Sequence, residues 1–175
     1  MSKIDFKEVI IFMLNKKKDN RGFFFELYKS TSYKKSIKSF FLQDNYSRSK
    51  KGVLRGLHFQ LKKPQGKLLT VIKGKIFDVV IDLRKKSKTF GCWNSYYLMD
   101  NKYNQIWIPP GFAHGFMSLS NETNIHYKCT EEYDPANEKT IFWRDNKLNI
   151  QWPKGKKILS KKDNNPNLSF ESYNF

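Results

Sequence analysis

The sequence predicts an all-β protein, a sandwich or barrel of many short strands with only a few short helices. Three observations carry this reading. Short apolar runs recur along the chain, turn signals built on Gly, Pro and Asn separate them, and only one stretch has helical spacing. In order, "VIIFML" (9–14) and "GFFFELY" (22–28) flank the polar "NKKKDNR" and read as a hairpin. "TSYKKSIKSF" (31–40) is the helical candidate. "GVLRGLHFQ" (52–60) reads as a strand on Val53, Leu54, Leu57 and Phe59. "KLLTVI" and "KIFDVVIDLR" flank Lys73–Gly74, a second hairpin signal. Alternation within the latter puts Phe77, Val79, Ile81 and Leu83 on one face and Asp78, Val80 and Asp82 on the other. "YNQIWIPPGF", "NIHYKCT" and "KTIFWRD" supply further strands, with Pro109–Pro110–Gly111 a loop that no central strand could hold. The tail from Asn164, "NNPNLSFESYNF", reads as a loosely docked terminus. Without repeats or linkers, residues 1–175 form a single domain.

Aromatic residues make up 16 % of the chain, which argues for a packed protein over a disordered one. Lys and Arg outnumber Asp and Glu by 33 to 16, a formal net charge of +17 that suits anionic partners: nucleic acid, an acidic membrane surface or a phosphorylated small molecule. The basic residues come as scattered doublets, such as Lys34–Lys35, Lys62–Lys63 and Lys161–Lys162. That pattern fits a solvated surface better than a polyanion groove, so neither nucleic acid nor membrane is the expected partner. Cys92 and Cys129 do not make a disulfide framework. The apolar run near the N-terminus is too short for a secretory signal, and no stretch approaches transmembrane length, so a cytoplasmic protein is expected.

"GVLRGLHFQ" also carries Arg55, His58 and Gln60, which are expensive to bury without partners. The stretch therefore lines a pocket rather than a dry core. Strict alternation would place His58 with Leu54, Gly56 and Gln60, and Arg55 on the opposite face. Both reach one ligand only if the strand is bent or bulged, and Gly56 is where that irregularity is expected. Of the three histidines, His58, His114 and His126, the second follows the Pro-Pro-Gly turn in "IPPGFAHGF". The spacings Gly52-x5-His58 and Pro110-Gly-x-x-His114 resemble the two half-motifs of the cupin superfamily, whose metal centre takes three His and a Glu. Here Gln60 replaces one His, the acidic ligand is missing, and Lys67 would repel a divalent ion. A barrel without metal or cofactor is expected. No G-x-S-x-G, P-loop or dinucleotide fingerprint occurs. General acid–base chemistry remains, with His58, Lys67, Tyr127 and Tyr133 as the groups available.

"NYSRSKKGVLRGLHFQ", "QGKLLTVIKGKIFDVVIDLRKKSKTFG", "QIWIPPGFAHGF", "YKCTEEYDP" and "ILSKKD", in this order, resemble the dTDP-4-dehydrorhamnose 3,5-epimerase family from Arg21 to Asp163. The resemblance implies a cupin-like jelly roll. It also implies an isomerase that moves protons on the carbons flanking the C4 ketone of a nucleoside-diphosphate 4-keto-6-deoxy sugar, with no metal or redox cofactor. On the matching positions His58 is the base, Asp163 its orienting carboxylate, and Lys67 the cation by the C4 oxygen. Tyr127 is the proton donor from the opposite face, with Tyr133 the second candidate. Substrate binding is implied for Arg21, Glu26, Gln43, Asp44, Asn45, Arg55, His114, Tyr133, Glu138 and Lys162. Arg21 and Arg55 suit the diphosphate, while Gln43 and Asn45 suit base or ribose. Family members form homodimers in which an N-terminal segment crosses to the neighbour, so Arg21 and Glu26 would serve the partner's site.

Several readings stay open on the sequence. Related enzymes epimerise only C3 or only C5 with much the same residues. A GDP-4-keto-6-deoxy-heptose of capsule synthesis is an alternative substrate. A non-catalytic sugar-nucleotide-binding module is the rival from another class, although His58, Asp163 and Tyr127 are all retained.

Overall fold

The computed structural model describes residues 2–173. Besides two 3-10 turns at Asp100–Lys102 and Phe170–Ser172, twelve strands and one α-helical turn follow in order: β1 (Ile10–Met13), β2 (Lys17–Asp19), β3 (Gly22–Phe24), α1 (Ser30–Tyr33), β4 (Gln43–Lys50), β5 (Leu54–Gln60), β6 (Lys67–Lys73), β7 (Lys75–Asp82), β8 (Trp93–Met99), β9 (Asn104–Ile108), β10 (Phe112–Ser118), β11 (Glu122–Cys129) and β12 (Glu138–Thr140). Two five-stranded antiparallel sheets face each other, one ordered β1-β9-β6-β11-β4 and the other β12-β5-β10-β7-β8. No described helix is long and apolar enough to cross a membrane.

The second sheet is covered on both faces, which explains why β7 and β10 are buried apolar runs, whereas β1 and β4 of the first sheet alternate between a core face and a more open one. Leu69, Val71, Ile106, Ile108 and Ile125 from the first sheet meet Ile76, Val80, Leu98, Phe112 and Phe116 from the second to form the core between them. On the outer face of the second sheet, Leu54, Leu57, Phe59, Phe77, Val79, Ile81 and Met117 pack under Ile141, Leu148 and Phe170 from the chain after β12. The alternation expected for "KIFDVVIDLR" holds, with Phe77, Val79, Ile81 and Leu83 outward in that core and Val80 inward. Tyr33 and Ile37 cover Leu68 and Trp107 on the outer face of the first sheet.

Three expectations need correction. The N-terminal apolar runs do not pair with each other: β1 joins β9, with Ile10 opposite Trp107, and the only hairpin there is the small exposed β2–β3. The buried faces of β9 offered Ile10 and Phe12 more apolar contact than an isolated hairpin could. The helical stretch contributes a single turn, Ser30–Tyr33, because Tyr33 and Ile37 alone are buried there. The tail is firmly docked: Phe170 is 4 % exposed and its amide donates to Asp145 Oδ2 at 2.7 Å, while the Tyr173 hydroxyl donates to the Thr140 carbonyl, also at 2.7 Å.

Candidate active site

The site begins with an irregularity in β5. His58 lies opposite His114 and Arg55 opposite Phe116, so two steps along β10 match three along β5. The extra residue falls at Gly56–Leu57, whose peptide bond is cis. Gly56 has φ +109°, and a Cβ there would sit 2.6 Å from both the Gly115 Cα and the His114 carbonyl oxygen. Only glycine fits that backbone and that approach. The consequence is visible in the packing. Leu54, Leu57 and Phe59 all enter the outer core. Arg55, His58 and Gln60 are thereby turned together to the opposite face, as the polar pattern of the strand required.

His58 stands 2.6 Å from Asp163, Nε2 to Oδ1, and the carboxylate is nearly buried. The Ser160 hydroxyl donates to Asp163 Oδ2 at 2.9 Å and accepts the Asp163 amide at 3.1 Å. Burial pushes the Asp163 carboxyl up, but His58, Ser160 and Lys162 outweigh it and hold the group below the ordinary carboxylate value. A second pair lies beside the first. His114 Nε2 is 2.6 Å from Asp78 Oδ2, with Asp78 completely buried and its Oδ1 unpartnered. Burial raises the Asp78 carboxyl, opposed by His114 and Lys67.

Lys67 opens β6 opposite Cys129, and burial lowers its ammonium against the pull of Cys129, Glu138 and Asp78. Tyr127 and Cys129 share the inward face of β11 with Ile125, and Tyr127 lies opposite Asn45 and Leu69. Burial and Cys129 raise the Tyr127 phenol, with Arg55 opposing. The Arg55 Nε donates to Ser49 Oγ at 3.2 Å. Gln43 donates to Asn45 Oδ1 at 2.8 Å and accepts the Tyr133 amide at 2.7 Å, and Asn45 Nδ2 meets Cys129 Sγ at 3.5 Å. At the rim Glu138 accepts from the Tyr133 hydroxyl at 2.9 Å and from Lys162 Nζ. Those bonds overcome burial and lower its carboxyl.

Thus His58, Asp163, Lys67, Tyr127, Arg55, Gln43, Asn45, His114, Tyr133, Glu138 and Lys162 form one connected neighbourhood. Three of the expected residues do not join it within the chain. Asp44 points to the outer face of β4, where it pairs with Lys128 at 2.7 Å, because strand alternation turns it away from Gln43 and Asn45. Arg21 is 86 % exposed on the β2–β3 hairpin and bonds Asp19 at 2.6 Å. Glu26 lines a separate cleft with Phe12, Phe24 and Tyr33. Sequence reasoning missed Asp78, Ser49 and Ser160. Asp78 carried a signal, an acidic residue facing inward among apolar neighbours, and "SKKD" has the S-x-x-D spacing of a side chain that caps the amide three residues on.

No three His, Cys, Asp or Glu side chains converge as a metal group among the described residues. The site offers instead an imidazole held by a carboxylate, a half-buried lysine ammonium, a half-buried phenol and a guanidinium. That set can take a proton from an activated carbon, stabilise the oxyanion that forms, and return a proton.

A model of the family described as dTDP-4-dehydrorhamnose 3,5-epimerase matches residues 3–169. A dTDP-4-dehydrorhamnose 3,5-epimerase of Methanothermobacter thermautotrophicus is 48 % identical over 151 residues, 84 % of this chain and 82 % of that one. The Shigella flexneri enzyme of the same name is 44 % identical over 166 residues, 93 % and 92 % of the two chains. Among solved structures, the dTDP-6-deoxy-D-glucose-3,5-epimerase of Legionella pneumophila in complex with dTDP-4-keto-L-rhamnose superposes with TM-score 0.89 at 44 % identity, covering 93 % of this chain and 88 % of that one. A 3'-monoepimerase of Streptomyces bikiniensis in complex with dTDP-quinovose superposes with TM-score 0.88 at 26 % identity, over 98 % and 88 %. The architecture is the cupin-like jelly roll of these epimerases.

Proposed function

The chain belongs to the dTDP-4-dehydrorhamnose 3,5-epimerase family, and we propose that it inverts C3 and C5 of a dTDP-linked 4-keto-6-deoxy sugar through the His58–Asp163 pair. It is an isomerase of deoxysugar biosynthesis. The observation that carries the residue assignment is the 2.6 Å contact between His58 Nε2 and Asp163 Oδ1, which leaves Nδ1 of the ring to act as base. A proton beside a ketone is weakly acidic, so its removal needs both a positioned base and a charge at the ketone oxygen. His58 takes the proton, and Asp163 stabilises the resulting imidazolium. Lys67 meets the enolate oxygen. Tyr127, kept as a phenol by its burial, returns a proton from the opposite face. Once the imidazolium has released its proton to solvent and the phenolate has regained one, repetition at the second carbon gives the double epimer.

Arg55, held by Ser49, binds the diphosphate, and Gln43 and Asn45 bind the nucleoside. Glu138, Tyr133 and Lys162 close the mouth, and His114 lines the floor with Asp78 behind it. Arg21 and Glu26 serve the site of a second copy in a homodimer. Support for this comes from the β2–β3 hairpin, whose residues are all exposed and include Phe23 at 59 % and Phe24 at 63 %. Double inversion is favoured over single because relatives named as 3,5-epimerases reach 48 % identity, whereas the monoepimerase stands at 26 %. The same names favour dTDP over GDP.

Proton NMR in deuterated water tests the reading, with dTDP-4-keto-6-deoxyglucose and a GDP-4-keto-6-deoxy-heptose offered separately. Deuterium at both C3 and C5 of the dTDP sugar is expected, and its loss in His58→Ala assigns the base. Tyr127→Phe should slow product formation more than loss of the first proton. Deuterium at a single carbon would reduce the enzyme to a monoepimerase. Binding of the dTDP sugar without exchange would leave a binding module. Sedimentation that shows only monomer would remove the shared site.

A further inference from the structure

Asp163 has two carboxylate oxygens, and each has a single side-chain partner. Oδ1 meets His58 Nε2 at 2.6 Å, and Oδ2 takes the Ser160 hydroxyl proton at 2.9 Å. The same hydroxyl oxygen accepts the Asp163 amide at 3.1 Å, and the Asn164 amide donates to the Ser160 carbonyl at 3.1 Å. Residues 160–164 are therefore one tight turn, closed on the inside by Ser160 and on the outside by His58. The carboxylate cannot rotate about χ2 without breaking one bond to the serine or one to the histidine. Ser160 itself touches neither the pocket groups Lys67 and Tyr127 nor His58 through any hydrogen bond of its own.

On the reading that His58 and Asp163 are the proton-transfer pair, we propose that Ser160 is a positioning residue for that pair. Its hydroxyl ties down Oδ2 and dedicates Oδ1 to the imidazole. Two consequences follow. The ring of His58 is held in one rotation and one tautomer, with Nε2–H on the carboxylate and Nδ1 toward the substrate. The carboxylate also stays ionised beside the ring through the whole cycle, since the serine bond lowers its proton affinity alongside His58 and Lys162. Both matter more for a double epimerase than for a single proton transfer. The base must be regenerated between the first carbon and the second, and a ring that turned over between them would begin the second step in the wrong tautomer.

The test is Ser160→Ala with Ser160→Thr as the hydroxyl-retaining partner, followed by deuterium exchange into C3 and C5 of dTDP-4-keto-6-deoxyglucose across the pH range. In Ser160→Ala the expected result is a roughly tenfold fall in kcat with KM within twofold. The acid limb of kcat/KM should be displaced from its wild-type position, because the contact of His58 with Asp163 Oδ1 changes once Oδ2 loses its donor. Exchange at the second carbon should fall more than at the first. Ser160→Thr should restore all three. A turn that served only stability would change the melting temperature and leave the acid limb in place, and that outcome overturns the proposal. Should Ser160→Ala fail to fold, Ser160→Cys keeps the size with a weak donor and must show the same displacement of the acid limb. His58→Ala run alongside separates the two levels of inference. Persistent exchange there would defeat the assignment of the base, whereas a dead His58→Ala beside an unshifted Ser160→Ala defeats only the role of the serine.

Discussion

Asp163→Asn removes a charge from the centre of the site while keeping its shape. The asparagine carbonyl can still accept from His58 Nε2. Ser160, which donates to the carboxylate, can turn its hydroxyl to accept from the new amide. On the proposed mechanism, what is lost is the attraction between the carboxylate and the imidazolium formed when His58 takes the substrate proton. With a nitrogen-to-oxygen contact of 2.6 Å, the charge centres lie about 4 Å apart, worth about 4 kcal/mol at an effective dielectric of about 20. Asp163 has only 6 % of its side chain exposed, so solvent screens little of this. At about 1.4 kcal/mol per decade, the first proton abstraction should slow by about a thousandfold. The assay is solvent-deuterium incorporation at C3 under saturating substrate, with calorimetric binding of dTDP as the control for intact fold. Binding should stay within threefold of wild type. An Asp163→Asn enzyme that keeps more than a tenth of the normal exchange rate would refute the electrostatic role of the pair.

Lys67→Met should lower kcat by about 100- to 1,000-fold, the cost of removing one donor to a developing oxyanion. It should also raise the melting temperature, because burial disfavours the ammonium it removes. Kinetics and melting are read on the same sample. Gly56→Ala should cost about 3 kcal/mol or more in denaturant unfolding, since φ +109° strains any other residue and the new Cβ meets backbone at 2.6 Å. Burial alone would raise the Asp82 carboxyl, yet hydrogen bonds from Arg84, Ser87 and Thr89 bring it from 3.8 down to about 2. A carboxyl lowered on folding adds stability above its unfolded value and loses it as pH falls through the folded one. About 2 kcal/mol is thus present above pH ~4 and gone below pH ~2. The melting-temperature gap between wild type and Asp82→Asn should therefore be widest near neutral pH and shrink towards pH 2.

Local patterns in the chain were informative where chemistry and backbone constrain each other at short range. The polar residues of "GVLRGLHFQ" could face one way only with an irregularity, and its one interior glycine marked where. The alternation in "KIFDVVIDLR" named the outward core residues correctly. Non-local choices were less legible. Nothing in "VIIFML" reveals that its partner is β9, nearly a hundred residues on, because both candidate partners are apolar. The docking of Phe170 depends on a slot made by residues from β5, β7 and the chain near Leu148, which no window of sequence contains. Asp44, implied in the site by the resemblance, stands between Gln43 and Asn45 in a strand, which necessarily sends it to the other face. Asp78 needed His114 to give it meaning, and the two are 36 residues apart.

The wrap that covers the outer face of the second sheet also carries Asp163, which reaches His58 across 105 residues of chain. On the roles proposed for the two residues, insulating the core and arming the base are consequently one event. All twelve strands precede Asp163 in the chain, so until the segment after β12 docks the barrel holds the His58 imidazole without that carboxylate. A half-made molecule that captured a ketosugar would, on the roles proposed for His58 and Asp163, enolise it far more slowly than the finished one. On those roles the full rate of proton transfer awaits the closing of the last segment over the sheet, so that covering the core and completing the site coincide.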